Sequence, residues 1–366
     1  MPAFPAIDIQ LGAPPRCANA CADMAISIMI VSNLFIFGMF AIIDEYYFSL
    51  KLLFSILSCI ISKKKQNLQK KIIMRQYFTQ LGFWGRVLAL IMLSLAFLLV
   101  SMIIGDVMAV AFFGRDAVAH AEFPVVRFLQ GALSIGVFLM PAVVLCLLCR
   151  GGSPLRRLCM KPAPSLLQVI LCVCIMLLSL PLSGWLEEVN LQMTFPEWMG
   201  GVEDWMRAKE DQAKRLTESL IKTSEVSSML ANIIVLAAMP AVCEEMYFRA
   251  GLQQAVIDDT TRIRKFGAAL VAAFIFSAVH LQFFGFLPRF VLGAELGFML
   301  IATGSVWGAM LAHFVNNAIA VVGGFMEARG CEFSLWEWAE SPIFIAGCSV
   351  AAAVLFVVLY KCEKKL

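Results

Sequence analysis

AVCEEMYFRAGLQ, residues 241–253, places two adjacent glutamates and an arginine inside an apolar run that extends from residue 228 to residue 256. A charged side chain at bilayer depth costs at least ~2.5 kcal/mol on insertion scales, so such residues usually face a partner or a water-filled site and are functional. The stretch therefore indicates a membrane helix that carries functional charges.

The composition of the whole chain agrees with a membrane location. Its 366 residues are 61% hydrophobic and 15% charged, with a mean hydropathy of +0.83, whereas soluble domains are about 25% charged. Apolar runs approach the roughly 20 residues that a membrane helix needs, and they lack the alternating pattern of a barrel. We expect an all-α polytopic integral membrane protein with about eight core transmembrane helices and an N-terminal hairpin.

The apolar runs also divide the chain. Residues 1–73 read as an appended extension with two of the runs, and the functional domain is expected over residues 74–366. The predicted spans are 24–43, 47–62, 87–113, 132–149, 166–186, 228–256, 267–281, 290–303, 305–323 and 343–360.

Charge asymmetry predicts the orientation, because short loops rich in lysine and arginine stay cytoplasmic. Basic stretches at 63–71, 150–161, 261–266 and 361–366 alternate with acidic loops at 187–225 and 326–340. This pattern predicts a cytoplasmic C-terminus and, with the short loops, fits a bacterial inner membrane, with a eukaryotic endomembrane as the alternative. The acidic loop at 187–225 has apolar residues at helical spacing, which predicts an exterior amphipathic helix. The net charge of +3 is explained by orientation and indicates no nucleic-acid partner.

Helical spacing assigns different environments to the two glutamates. Glu245 and Arg249 are four residues apart in the favourable order and are expected to pair. Glu244 is rotated by about 100° from Glu245, so its carboxylate remains available for chemistry. Pro240 lies four residues before Glu244, where its missing N–H can kink the helix and admit water.

Further polar residues recur on the following apolar segments. Phe276 and His280 share one helix face in FSAVH, and His313 and Asn317 share one in HFVNN. At ~1.5 Å per residue from the predicted cytoplasmic turns, Glu244 and His280 lie roughly 20 Å deep and His313 roughly 14 Å. A carboxylate, two imidazoles and an amide at similar depth suit the hydrolysis of an amide by activated water.

These motifs resemble those of a protease family. EEMYFR resembles the EExxxR motif, FSAVH the FxxxH motif and HFVNN the HxxxN motif of the CPBP family. These CAAX-protease and bacteriocin-processing (Abi) proteins are intramembrane proteases that include type II CAAX prenyl endopeptidases. The connecting residues 285–318 carry a similar proline-arginine, glycine and TGS-x-W pattern. The resemblance implies a membrane-embedded protease domain at 74–366 with its motif core at 226–323.

The resemblance also implies roles for the motif residues. Glu244 corresponds to the water-activating glutamate and His280 to its assistant, while His313 and Asn317 correspond to the pair that holds the oxyanion. The remaining motif residues form a supporting pair, Glu245 and Arg249. The implied substrate is a membrane-associated protein or peptide, with a CaaX-like tail and a leader or precursor peptide both open.

Metal dependence is open at this stage. Glutamate and histidine ligands suit zinc, and a metalloprotease would use Glu244, His280 and His313. The same residues also suit a metal-free attack by glutamate-activated water, which we favour, so we expect no required cofactor. The CxxC formed by Cys146 and Cys149 has no histidine nearby, and packing is its favoured interpretation over a zinc or redox site.

Other classes of protein remain compatible with the sequence. A non-catalytic bacteriocin or toxin immunity protein could keep the same fold, and a buried polar network could serve only to hold helices together. A proton-coupled transporter could relay protons through Glu244, the histidines and Glu295, an additional carboxyl in the apolar run LGAELGF. Glu295 either faces the active-site cavity or lies near a helix end.

Overall fold

The computed structural model describes residues 81–149, 153–257, 262–331 and 341–363. The predicted N-terminal extension, with spans 24–43 and 47–62, lies outside these residues. Within them the ordered elements are helices, which confirms the all-α prediction. The principal helices, numbered here in chain order, are α1 (Phe83–Phe113), α2 (Phe123–Leu148), α3 (Leu166–Leu191), α4 (Gly200–Ile221), α5 (Val226–Val256), α6 (Arg262–Ala278), α7 (Phe286–Thr303), α8 (Val306–Ala328) and α9 (Pro342–Glu363).

Seven of the described helices are long and apolar enough to cross a membrane. They are all of the principal helices except α4 and α6, with α7 counted together with the short 3₁₀ turn that precedes it. The apolar part of α6, Lys265–Ala278, is shorter. Each of the eight spans predicted after residue 81 therefore corresponds to an observed helix, and the chain is a multi-pass integral membrane protein.

Two predicted boundaries differ from the structure. Helix α2 begins at Phe123 instead of residue 132 because Arg127, which interrupts the apolar run, is accommodated within the fold. Its Nε donates a 2.8 Å hydrogen bond to Oδ1 of the buried Asn232 on α5. Helix α6 ends at Ala278 instead of residue 281, so His280 lies in the turn after the helix.

Helices α6 and α7 approach each other through small residues. A Cβ at Gly293 would lie 3.1 Å from Ala273 Cβ, and one at Gly297 would lie 2.9 Å from Ala269 Cβ. Glycine and alanine four residues apart on facing helices permit this close backbone approach, which is a common basis of helix association in membranes. The contact fixes the position of α7 relative to the motif residues at the end of α6.

Helix α5 departs from regular α geometry on both sides of the EE pair. It contains π-helical turns over Ile233–Ala238 and Met246–Gln253, with Pro240 in the α-helical segment between them. Pro240 has no N–H to donate to the carbonyl of Leu236 four residues earlier. Such turns are frequent at functional sites, and here they bracket Glu244.

Helix α4 lies across the ends of several membrane helices, which confirms the predicted helix in the acidic loop. At its C-terminal end, Leu220 O accepts a 2.6 Å hydrogen bond from Asn232 Nδ2 on α5. Lys222 Nζ lies 3.1 Å from Glu327 Oε1 on α8. At its middle, Glu210 Oε2 accepts a 3.2 Å bond from the amide of Phe284, just before α7. Burial raises the pKa of Glu210, although the charge of Arg289 and this amide oppose the shift.

The α6–α7 contact predicts a local sensitivity to side-chain volume. We expect Gly297→Ala to lower the free energy of unfolding by about 1–3 kcal/mol. The new methyl group would lie only 2.9 Å from Ala269 Cβ on α6. Gly267→Ala on α6 is the matched control, since a Cβ there would have no atom of the described residues within 4 Å. Thermal unfolding of the purified proteins in detergent gives the comparison. Equal melting temperatures for the two variants would contradict the packing argument.

Candidate active site

A buried ion pair anchors the EExxxR motif, as its spacing predicts. Arg249 Nε donates a 2.8 Å bond to Glu245 Oε2, and both side chains are fully buried. The guanidinium carbon lies 5.5 Å from the ring centroid of Phe276, within cation–π range. Arg249 Nη1 and Nη2 have no hydrogen-bond partner among the described residues. Glu245 is therefore the carboxylate in direct contact with this arginine in the described residues.

Glu245 has a second partner that sequence spacing does not reveal. Its Oε1 lies 3.0 Å from Nδ1 of His313, a residue 68 positions along the chain on α8. A carboxylate only accepts hydrogen bonds, so this contact requires an N–H on Nδ1. In the neutral imidazole the lone pair then lies on Nε2. Glu245 thus fixes both the orientation and the tautomer of His313.

Glu244 faces the other side of the same imidazole. Its Oε2 lies 4.0 Å from His313 Nε2, and its side chain is 13% exposed, compared with 0% for Glu245. The separation is too long for a direct hydrogen bond. An oxygen atom beside this gap can nevertheless reach both groups at about 2.8 Å. Glu244 is the available carboxylate that the helical spacing predicts.

His280 lies near the cluster but does not contact Glu244. Its Nδ1 is 2.7 Å from the carbonyl of Phe276, which accepts and therefore assigns the N–H to Nδ1. The centroid of the Phe276 ring lies 4.9 Å from the centroid of the His280 ring and 6.0 Å from that of the His313 ring. Phe276 thus contacts both histidines. In each histidine Nδ1 makes a hydrogen bond, to Phe276 O in His280 and to Glu245 in His313, which leaves Nε2 available.

Asn317 connects α8 to the irregular part of α5. Its Nδ2 donates a 3.3 Å bond to the carbonyl of Leu236, the group to which Pro240 cannot donate. Its Oδ1 accepts a 3.1 Å bond from Asn316 Nδ2. One N–H of the Asn317 amide remains for another acceptor.

Polar residues outside the three sequence motifs surround the turn between α6 and α7. Asn190 is buried at the end of α3, where its Oδ1 accepts from the amide of Leu287 at 2.8 Å and its Nδ2 donates to Phe283 O at 3.2 Å. Arg289 Nη1 and Nη2 donate to Gln282 at 3.2 and 2.5 Å. A proline-arginine dipeptide inside an apolar run is the sequence signal that could have identified Arg289.

A metal centre would need several ligand side chains to converge on one point. Among the described ranges, no group of three or more histidine, cysteine, aspartate or glutamate side chains is placed to hold a metal ion. The zinc alternative would use Glu244, His280 and His313 as ligands, and Phe276 packs against both imidazole rings.

Two other features of the sequence lie apart from this cluster. Glu295 is in the middle of α7, not near its end, and its carboxyl interacts with Ser179 on α3. Cys146 is buried and its Sγ donates to Ala250 O at 3.2 Å. This contact agrees with a packing role for Cys146.

The ion pair predicts an asymmetric response to mutation. We expect Glu245→Leu to lower the free energy of unfolding by roughly 3–5 kcal/mol, because it leaves a buried guanidinium without its carboxylate. The double variant Glu245→Leu/Arg249→Leu should recover much of this loss, since no charge then remains buried. Denaturant unfolding in detergent measures both. A double variant no more stable than the single variant would contradict the pairing.

Comparison with known families agrees with the geometry of the cluster. Residues 226–319 match the model of the Rce1-like type II CAAX prenyl endopeptidases. No match is found among curated proteins or among solved structures. The matched region includes every motif residue from Glu244 to Asn317 and supports a protease of the CAAX type in the membrane. Residues 226–319 are therefore similar to the Rce1-like type II CAAX prenyl endopeptidases, which is consistent with a CPBP-family protease.

Proposed function

We propose that this protein is an intramembrane endopeptidase that hydrolyses a peptide bond in a membrane-associated protein or peptide by glutamate-activated water. The observation that carries the proposal is a chain of contacts from Arg249 through Glu245 and His313 to Glu244. The buried Arg249–Glu245 ion pair holds the His313 imidazole. The Nε2 atom of His313 then faces the Glu244 carboxylate at 4.0 Å. Helix cohesion alone would not require the last carboxylate.

Glu244 acts as the general base. A water molecule beside the Glu244–His313 gap gives one proton to the Glu244 carboxylate, and its oxygen attacks the carbonyl carbon of the scissile bond. The tetrahedral intermediate then collapses, the C–N bond breaks and the leaving nitrogen takes the proton from Glu244. A positioned base of this kind contributes about 10²–10⁴-fold to the rate.

The remaining motif residues stabilise the charge that develops. His313 Nε2, when protonated, and the unused N–H of Asn317 are the donors for the oxyanion, as the family resemblance implies. His280 is the second proton carrier through its Nε2. Glu245 acts through His313 and is a positioning residue, comparable in logic to the buried acid of a catalytic triad. No step requires a metal ion or another cofactor.

This function predicts a selective loss of activity in Glu244→Gln. We expect cleavage of a membrane-embedded substrate to fall by at least about 100-fold, because the amide cannot accept the water proton. Cleavage by purified protein in liposomes and its melting temperature should be measured together. The melting temperature should stay near that of the wild type, since Glu244 makes no hydrogen bond with the described residues.

Glu295→Gln is the matched control, because it neutralises another carboxyl within the membrane that lies apart from the cluster. It should retain wild-type cleavage. Full activity of Glu244→Gln would overturn the assignment of the base. Activity lost with a chelator and restored by zinc would overturn the metal-free mechanism, and proton-linked flux without cleavage would indicate a transporter.

We also propose that the protein resides in a bacterial inner membrane with its C-terminus cytoplasmic, because basic loops alternate with acidic ones. A fluorescent protein fused after residue 366 should be fluorescent, and alkaline phosphatase fused there should be inactive. Phosphatase fused after residue 330, beyond α8, should be active as the control. The reverse pattern would invert the orientation. It would also place α4 on the cytoplasmic side.

A further inference from the structure

We propose that the first half of α4 lies in the headgroup region of the bilayer and contacts lipid through an apolar stripe. The α4 stripe consists of Trp198, Val202 and Trp205, and Trp198 belongs to the turn Glu197–Met199 that leads into the helix. This contact with lipid does not depend on the proposed hydrolysis, since no residue of α4 takes part in that reaction.

The α4 stripe is an exposed apolar surface on a helix that also packs against the protein. Trp198, Val202 and Trp205 are 83%, 46% and 49% exposed. Val202 and Trp205, three residues apart, share one face of the helix. Met206 and Leu220, by contrast, are buried against the protein. The apolar surface of α4 is thus wider than the part that the protein covers, whereas a helix surrounded by water on its outer side carries polar residues there.

Another face of α4 carries charge. Asp204, Asp211 and Arg215 are exposed, and their intervals of seven and four residues place them on one face that is rotated away from the stripe. A helix with both an apolar and a charged exposed face fits the plane of the membrane interface. Such a helix buries its apolar side about 5–10 Å into the boundary between headgroups and acyl chains.

The α4 stripe continues the exposed apolar surface of the neighbouring helix α6. Phe274 on α6, with Val279 and Leu281 in the turn that follows it, are exposed. The centroid of the Trp205 ring lies 5.6 Å from that of Phe283 in the connection to α7. Large exposed apolar patches mark contacts with membranes or proteins, and on a membrane helix the exposed side chains face lipid. Contact between Trp205 and Phe283 therefore joins the stripe to a lipid-facing surface.

The chemistry of the stripe favours the headgroup region over the hydrocarbon core. Two of its three residues are tryptophans, whose indole combines an apolar ring with an N–H donor. Tryptophan is accordingly enriched where the membrane meets water. The location agrees, because α4 is not among the helices that can span the membrane and its contacts lie at the ends of α5 and α8.

The same half of α4 holds the connection that follows His280. Glu210 Oε2 accepts a 3.2 Å bond from the amide of Phe284, and the guanidinium carbon of Arg207 lies 4.2 Å from the centroid of the Phe284 ring. Arg207 is itself held by Glu203, whose Oε1 accepts a 2.8 Å bond from its Nε. Lipid contact at the stripe thus anchors the helix that fixes Phe284, and loss of this contact should loosen the connection.

The contact is tested by lipid quenching of tryptophan emission from the full-length protein in liposomes. Phosphatidylcholine brominated on the acyl-chain carbons nearest the headgroup is compared with the unbrominated lipid, and aqueous iodide is added in a separate measurement. The chain has seven tryptophans, so the emission of Trp198 is obtained as the difference between wild type and Trp198→Phe. We expect brominated lipid to remove most of this difference emission and iodide to leave most of it.

Arg215→Trp is the matched control, because it places an indole on the charged face of α4. Its added emission should be quenched by iodide and spared by brominated lipid. Emission of Trp198 that is spared by brominated lipid, whether or not iodide quenches it, would overturn the lipid contact. Emission that iodide quenches in lipid alone, and that is shielded only when an apolar peptide is added, would assign the stripe to a peptide and would also overturn the proposal.

Hydrogen exchange at Phe284 tests the anchoring of the connection in the same liposomes. Val202→Asp places a charge in the stripe and should speed exchange of this amide relative to wild type, whereas Val202→Leu keeps the apolar contact and should not. Ala208→Asp adds the same charge at an exposed position outside the stripe and should leave exchange unchanged. Equal exchange in Val202→Asp and Ala208→Asp would overturn the anchoring. The quenching measurement decides the lipid contact even if Val202→Asp does not fold.

Discussion

The burial of Glu245 is the constraint on which the cluster of motif residues depends. One carboxylate oxygen neutralises Arg249 and the other holds His313, and all three side chains lie out of contact with solvent. A buried charge is tolerated only where partners satisfy it, so these contacts tie the middle of α5 to α8. They also leave Glu244, the neighbouring residue on the helix surface, facing the imidazole from the opposite side.

The backbone around this cluster is adapted to the same purpose. Pro240 withholds an N–H from Leu236, and Asn317 donates to that carbonyl from α8. The helix–helix contact is thus made by a side chain at a place where the regular hydrogen-bond pattern is interrupted. In a bilayer, freed backbone groups must find partners within the protein. The irregularity of α5 and the HxxxN motif are therefore two parts of one arrangement.

The position of the turn that carries His280 depends on the close packing of α6 against α7 and on contacts that hold the segment between these helices. Small residues allow α6 and α7 to lie together, which brings the turn after α6 toward α5 and α8. Asn190 holds the start of α7 at Phe283 and Leu287, and Glu210 of α4 binds the amide of Phe284. Helix α4 is therefore more than a solvated connector, because it helps to fix the turn that carries Gln282 and precedes Arg289.

The sequence by itself determined the all-α membrane architecture, the motif residues and the Glu245–Arg249 pair. These follow from apolar run length and from helical periodicity, which are local properties. The tertiary structure decided that Glu245 holds His313, that Phe276 contacts both histidines, that Asn317 reaches Leu236 and that Arg289 donates to Gln282. Periodicity places residues on a helix face but does not give the rotation or depth of one helix against another. Those are set by side-chain packing, by the π-helical turns of α5 and by the close approach at Gly293 and Gly297.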